Sequence, residues 1–271
     1  MTVLEAIFLG IIQGATEFLP VSSSGHSILL PTLFDMPNPG LDLIAIAHQG
    51  TLLAVLIYFW RDLWRIFAGV LRGLRSGAPL ADADSRLGWF IVLGTIPAGA
   101  AGLLLEDFFE SMFARPIVAA GLLLVTAALL LIGERLFSGD IEIEEMGGRD
   151  ALAVGIFQML ALFPGVSRSG STITGALWRG LDREAAARFS FLLGVPAIAG
   201  AGLLAVLDIR EAGLGDPLAV YLATFVAAAI TGYLCIHFLL TWLRQHSLYP
   251  FAAYCAAFGV FYILLALFGA V

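Results

Sequence analysis

Gln13-Gly14-Ala15-Thr16-Glu17-Phe18-Leu19-Pro20-Val21-Ser22-Ser23-Ser24-Gly25-His26 decides the fold. The stretch closes an apolar run over 3–19 and cannot continue it. Proline ends the helix, and three serines and a glycine do not fill the interior of a membrane span. The apolar piece that follows, Ile28 to Phe34, stops at Pro37-Asn38-Pro39-Gly40. It is far below the roughly 20 residues that cross a bilayer. The same pattern returns downstream. An apolar run over 151–163 meets Pro164-Gly165-Val166-Ser167-Arg168-Ser169-Gly170-Ser171-Thr172, and the piece from Ile173 to Leu181 is again short. A constant shift of 145 residues aligns Gly10 with Gly155, Gln13 with Gln158, Phe18 with Phe163, Val21-Ser22 with Val166-Ser167 and Ser24-Gly25 with Ser169-Gly170. Agreement at glutamine, serine and glycine is not what two apolar segments share by composition, so the chain carries an internal repeat.

The rest of the sequence places these breaks in a membrane. Of 271 residues, 60% are hydrophobic and 13% charged, and the mean hydropathy is +0.94. A soluble fold with so little charge could not cover its own surface. Disordered, disulfide-scaffold and nucleic-acid-binding proteins are excluded on the same ground. The formal charge is −7, and all 14 basic residues are arginine. Cys235 and Cys255 lie in apolar runs and read as small buried residues. No cleavable leader is expected, because the first residues carry no basic run and Glu5, Gln13 and Glu17 interrupt the apolar one.

Six segments reach spanning length, about 43–60, 87–105, 116–133, 185–207, 217–241 and 250–270. The arginines choose between topologies. If both broken regions crossed the membrane, Arg179, Arg183 and Arg188 would fall outside, against the positive-inside rule. If both are re-entrant hairpins, the connection 61–86 and Arg135, Arg149, Arg179, Arg183, Arg188 and Arg244 are inside, and Arg115 and Arg210 outside. The expected fold is therefore an all-α polytopic membrane protein. It has six transmembrane helices and two re-entrant helical hairpins arranged as an inverted repeat, about 1–140 and 145–271, within a single domain. The first hairpin enters from outside, the second from the cytoplasm.

Irregular backbone at membrane depth is tolerated where it lines a wet cavity, and ionisable residues there are functional candidates. The breaks supply Glu17, His26 and Arg168. Gln13 and Glu17 share a helix face. Each hairpin starts its second half-helix at the bend, so two helix N-termini with free N–H groups point inward, a natural anion site. Ser22, Ser23 and Ser24 from one bend and Ser167, Ser169 and Thr172 from the other add hydroxyls, and the Arg168 guanidinium presents a fork suited to phosphate. The constellation reads as phosphate chemistry on an amphiphilic substrate. A carrier of anionic lipids would use the same inverted hairpins and is the rival class. His48 and Gln49 begin an apolar span and could line the same cavity, though a structural or interfacial role is favoured for them, and the acidic run Glu142 to Glu145 reads as a solvated loop.

These two stretches resemble the signatures of the BacA/UppP undecaprenyl-diphosphate phosphatases. The first matches their opening glutamate motif, and Pro164 to Thr172 matches PGxSRSxxT. The run Phe189-Ser190-Phe191-Leu192-Leu193-Gly194-Val195-Pro196, the motif spacing and the length also fit, so the resemblance covers essentially the whole chain. It implies hydrolysis of undecaprenyl diphosphate to the monophosphate and inorganic phosphate, recycling the lipid carrier of peptidoglycan synthesis. It also implies a link to bacitracin resistance, a divalent cation (Mg²⁺ or Ca²⁺), and an inner-membrane protein whose site opens to the periplasmic side. The first motif begins with Glu or Gln in the family. Here it is Gln13, so a full carboxylate pair is absent. On this basis Glu17, Ser23, His26 and Arg168 are the expected catalytic residues and Glu17 the metal ligand. Gln13, Ser22, Ser24, Ser167, Ser169 and Thr172 are expected to bind substrate. Either Ser23 attacks, with His26 or Glu17 taking its proton, or one of those two activates water. The expected partners are the lipid substrate, membrane lipids and a second copy of the chain.

Overall fold

The computed structural model describes residues 1–37, 39–136, 139–212 and 215–269, with the side chains of 136 and 204–212 outside the description. Asn38 of the expected stop, the Arg210 side chain of the topology argument and the end of the sixth expected span at Ala270 thus lie outside the described residues.

Twelve α-helices are described. Six are long and apolar enough to span: α3 (Leu41–Tyr58), α5 (Ala83–Leu104), α7 (Pro116–Leu136), α10 (Arg183–Ala212), α11 (Leu218–Leu243) and α12 (Tyr249–Leu267). These are the six segments expected from hydropathy. Among the described residues there is no strand, only an isolated bridge between Ile141 and Leu181. The broken regions form α1 (Val3–Phe18) with α2 (Ser23–Leu33), and α8 (Gly148–Leu160) with α9 (Arg168–Trp178). At 11 residues each, α2 and α9 are about 16 Å long, half a hydrocarbon thickness.

Ion pairs and side-chain contacts mark two ends of the bundle. At one, the N-terminal ammonium meets Asp216 at 2.8 Å, Tyr221 donates to Asp42, and Phe8 of α1 packs edge-on against Phe34 just after α2. At the other, Arg183 pairs with Glu134, Arg188 with Asp62, Arg244 with Glu184, and Arg179 at the end of α9 with Asp150 at the start of α8. So α2 ends beside the start of α1, α9 ends beside the start of α8, and the two pairs begin at opposite ends.

Close helix contacts use small residues, since lipid gives no hydrophobic drive between helices. Gly10 and Gly14 of α1 lie against α11, where a Cβ would strike the carbonyls of Thr224 and Ala228. Gly155 of α8 lies against Gly94 of α5 in the same way. Two helices were not separated out in the sequence. The connection 61–86 contains α4 (Trp60–Arg75), whose Ile66, Gly69 and Gly73 are buried against the start of α5, and α6 (Glu106–Phe113) precedes α7. The acidic run forms a 3-10 turn, Ile143–Glu145, because Ile143 is buried while the glutamates stay out.

Candidate active site

Both bends are capped by their own serines. Ser22, with a left-handed φ of 73°, is the N-cap of α2, and its Oγ accepts from the Gly25 N–H at 3.2 Å. Ser167 caps α9, its Oγ accepting from the Gly170 N–H at 3.0 Å. The bends are then tied to each other. Ser24 Oγ accepts from the Gly165 N–H and Ser169 Oγ donates to the Leu19 carbonyl, each at 3.2 Å. Thr126 of α7 anchors the second bend from below, donating to the Gly165 carbonyl at 2.9 Å and accepting from the Ser167 N–H at 3.0 Å. Gly165 has φ 98°, and a side chain there would run into the Ala119 carbonyl, so glycine is required on both counts.

Where the bends meet, a cavity of about 280 Å³ opens. Its polar wall is Thr16, Glu17, Ser23, Ser24, Ser27, His48 and Arg168, and its apolar wall includes Ile28, Ile44, Phe113, Val166 and Ile198. Glu17 is the hub. Its Oε1 accepts from Arg168 Nη2 at 2.7 Å, and its Oε2 accepts from Ser23 Oγ at 2.8 Å and Gln13 Nε2 at 3.0 Å. The carboxylate is 5% exposed and the arginine side chain 15%, and a charge pair so placed persists through such satisfied hydrogen bonds. Arg168 Nη1 donates to the Ser190 carbonyl at 3.0 Å. Gly194, one turn further along α10, leaves the room that the guanidinium occupies. The run 189–196 therefore shapes the arginine's seat, and Phe18 and Phe191 pack edge-on beneath it at 5.3 Å.

The structure thus brings together Gln13, Glu17, Ser23, Ser24 and Arg168 of the expected residues. It does not bring His26 into this group. That ring is buried, with Nδ1 on the Ser22 carbonyl at 2.7 Å and Nε2 on the Tyr254 hydroxyl at 2.6 Å. The hydroxyls of Ser22, Ser167 and Ser169 cap helices and join the bends, and Thr172 bonds to the Arg168 carbonyl at 2.7 Å and to Ser190 Oγ at 2.6 Å. None of these four lines the cavity; they hold the residues that do. His48, for which the sequence favours a structural or interfacial role over lining the cavity, lies on the cavity wall. Its Nε2 faces the cavity 3.6 Å from Glu17 Oε2. Its Nδ1 is 2.8 Å from the Ile44 carbonyl. A carbonyl only accepts, so Nδ1 carries a proton and Nε2 is the atom presented to a ligand. Thr16 and Ser27 were also missed.

A hard cation takes oxygen ligands, and one bound chiefly by phosphate needs few from the protein. Glu17 is the only carboxylate on the described cavity wall. Gln13 Oε1 beside it is buried with no hydrogen-bond partner among the described residues, and His48 Nε2 is within reach. No group of three or more His, Cys, Asp or Glu that could hold a metal exists among the described residues. This donor set fits a cation shared with a phosphorylated ligand and does not fit a cage made by the protein alone.

Comparison with known proteins agrees with the motifs. Residues 6–261 match the family described as Bacitracin resistance protein BacA. A protein of Thermomicrobium roseum named undecaprenyl-diphosphatase is 50% identical over 99% of both chains. Others of that name, from Methanosphaera stadtmanae and Myxococcus xanthus, are 43% and 42% identical over 98% of this chain and 99% and 89% of their own. With a cavity built from the two signature stretches and a family match over nearly its whole length, the chain belongs to the BacA family of bacitracin resistance proteins.

Proposed function

We propose that this protein is an integral-membrane undecaprenyl-diphosphatase, releasing inorganic phosphate and leaving undecaprenyl phosphate. The observation that carries this is the Glu17 carboxylate, bonded at once to a serine hydroxyl and an arginine guanidinium in a cavity between two inward-facing helix N-termini. The α1–α2 and α8–α9 pairs are re-entrant hairpins of an inverted repeat. The arginine-rich end is cytoplasmic, and the cavity opens on the opposite side of the inner membrane.

In the free protein Arg168 is satisfied by Glu17. An entering diphosphate, a stronger bidentate acceptor, takes over the guanidinium, while Glu17 keeps its bond to Ser23. The N–H groups at the starts of α2 and α9 face the non-bridging oxygens. Ser23 Oγ attacks the terminal phosphorus, and its proton passes to Glu17. The bond to the bridging oxygen breaks, and undecaprenyl phosphate leaves with the electron pair. Glu17 passes the proton it took from Ser23 to solvent as the lipid leaves. Water then attacks the phosphoserine, Glu17 takes the water's proton and returns it to the departing Ser23 oxygen, and free serine and inorganic phosphate result. Positioning and charge stabilisation carry most of the rate in such transfers. Glu17, with Gln13 and His48 nearby, would hold a Mg²⁺ or Ca²⁺ ion shared with the diphosphate, and bound there it would offset the developing phosphate charge. The apolar wall formed by Ile28, Ile44, Phe113 and Ile198 receives the first isoprene units, and the remaining chain lies in lipid.

The test is phosphate release from undecaprenyl diphosphate by the purified protein in detergent, with Mg²⁺, Ca²⁺ or EDTA, beside Glu17→Ala and Arg168→Ala. Metal-dependent release abolished by both substitutions is expected. Folded wild-type protein that binds prenyl phosphate but releases none would overturn the hydrolase.

A further inference from the structure

The Ser22–Ser23 bend is the most strained backbone near the cavity. Ser22 adopts φ 73° and ψ 101°, a region that a residue with a side chain enters at a cost of order 1–3 kcal/mol. Such a conformation persists only where its surroundings fix it. Four bonds converge on Ser22. Its Oγ accepts from the Gly25 N–H and shares a hydrogen bond with Ser24 Oγ at 3.3 Å, and its carbonyl accepts from the His26 N–H at 3.2 Å and from His26 Nδ1 at 2.7 Å.

The last of these fixes the histidine. Because the carbonyl only accepts, Nδ1 holds the proton, and Nε2 of the neutral ring accepts from the Tyr254 hydroxyl at 2.6 Å. The ring also lies stacked on Tyr254, 6° from parallel, and on Phe258, with centroids 4.9 Å apart. Both aromatics belong to α12, more than two hundred residues from the bend. The same helix touches the bend again through Cys255 Sγ, which is 3.7 Å from the Pro20 carbonyl.

We propose that Tyr254 is a positioning residue for the reaction. It acts through His26 on the Ser22 carbonyl, and so aims the adjacent Ser23 hydroxyl at Glu17 and the substrate. His26 is on this account the middle of a strut from α12 to the serine bend and not a proton acceptor. Both of its ring nitrogens are engaged on the side away from the cavity. Removing either end of the strut lets the strained bend relax and lowers turnover, while the phosphate clamp at Arg168 keeps its affinity.

This inference rests on the hydrolase and on Ser23 as its nucleophile. The experiment compares wild type, Tyr254→Phe, His26→Asn and His26→Ala as purified full-length proteins in detergent, each checked for a monodisperse folded state. Kinetics are measured on undecaprenyl diphosphate. Tyr254→Phe retains the ring stack and loses only the hydroxyl, so kcat should fall about five- to tenfold with KM unchanged within about twofold. The asparagine amide of His26→Asn can still donate to the Ser22 carbonyl but cannot serve as a base. It should retain kcat within about tenfold of wild type, whereas His26→Ala should lose about a hundredfold. Wild-type kcat in Tyr254→Phe overturns the proposal, and that variant carries the test if His26→Ala does not fold. A folded His26→Asn no better than His26→Ala also overturns it and makes the ring a proton carrier. In both cases the wild type is active and only the strut fails. A wild type that releases no phosphate is instead the failure of the hydrolase itself.

Discussion

Replacing Gly194 by alanine should separate the fold of this protein from its activity. Gly194 lies inside α10, where alanine is the better helix former by about 1 kcal/mol. The three atoms nearest to the added methyl group all belong to the guanidinium of Arg168. That group ends a flexible side chain and can move aside, so the helix and its packing lose little. The cost falls on the clamp. To clear the methyl, the guanidinium must leave Glu17 Oε1 or the Ser190 carbonyl, bonds of 2.7 and 3.0 Å. A hydrogen bond to a charged group contributes about 1.5–3 kcal/mol. The loss of one such contact with the transferring phosphate therefore lowers kcat/KM by about 10- to 150-fold. The assay is phosphate release from undecaprenyl diphosphate by purified Gly194→Ala, paired with its thermal unfolding midpoint in the same detergent. The broken bond outweighs the gain in helix propensity by up to about 2 kcal/mol, so a midpoint lowered by a few degrees with the stated loss of activity is the expected pair. Activity within about twofold of wild type would show that the guanidinium does not work from this position, and would refute the clamp.

Other substitutions reach different parts of the account. Glu17→Gln keeps the shape of the hub and removes its charge and basicity. Turnover should fall by about 10²- to 10⁴-fold, while equilibrium binding of a non-hydrolysable prenyl phosphonate is retained because Arg168 has lost its competing anion. Thr126→Val leaves the Gly165 carbonyl and the Ser167 N–H without their partner, at about 1–3 kcal/mol each. Its thermal midpoint should drop by at least about 5 °C. Glu134→Gln, at the far end of the bundle, weakens the tie that holds Arg183 and the Leu248 N–H. Since Arg183 is half exposed, a loss of no more than about 1 kcal/mol in stability is expected, with activity per folded molecule unchanged in the phosphate assay.

Much of this architecture is legible in the chain itself, for physical reasons. Pro20 and the serines after it cannot continue a span, nor can Pro164-Gly165, and the helices stop where those residues say they must, at Phe18 and Leu160. The 145-residue offset between the breaks pairs Ser23 with Arg168, and in the fold both bond to opposite oxygens of Glu17. What the sequence hides are relations between distant segments. Nothing in residues 41–58 says that His48 turns its Nε2 toward a carboxylate on α1; a histidine at the head of an apolar helix is equally at home at an interface. Adjacency to the serine bend made His26 look catalytic, but direction is not written in adjacency, and its ring faces α12. By position alone the hydroxyls of Ser167, Ser169 and Thr172 suit phosphate. In the structure they satisfy backbone and neighbouring hydroxyl groups that a bend at membrane depth would otherwise leave unpaired. The helix α4 has a signal in the chain, since Ile66, Gly69 and Gly73 recur at helical spacing.

The most direct test of the central claim, that Glu17 joins an attacking Ser23 to the Arg168 clamp, is acid-quenched trapping. Purified protein is mixed with undecaprenyl diphosphate labelled in its terminal phosphate and quenched on the millisecond scale, and the protein-bound label is mapped by mass spectrometry. The account predicts phosphate on Ser23, absent from Ser23→Ala and Glu17→Gln. A Ser23→Ala protein that turns over at a near-normal rate with no bound label would contradict it, and would place the attack on water.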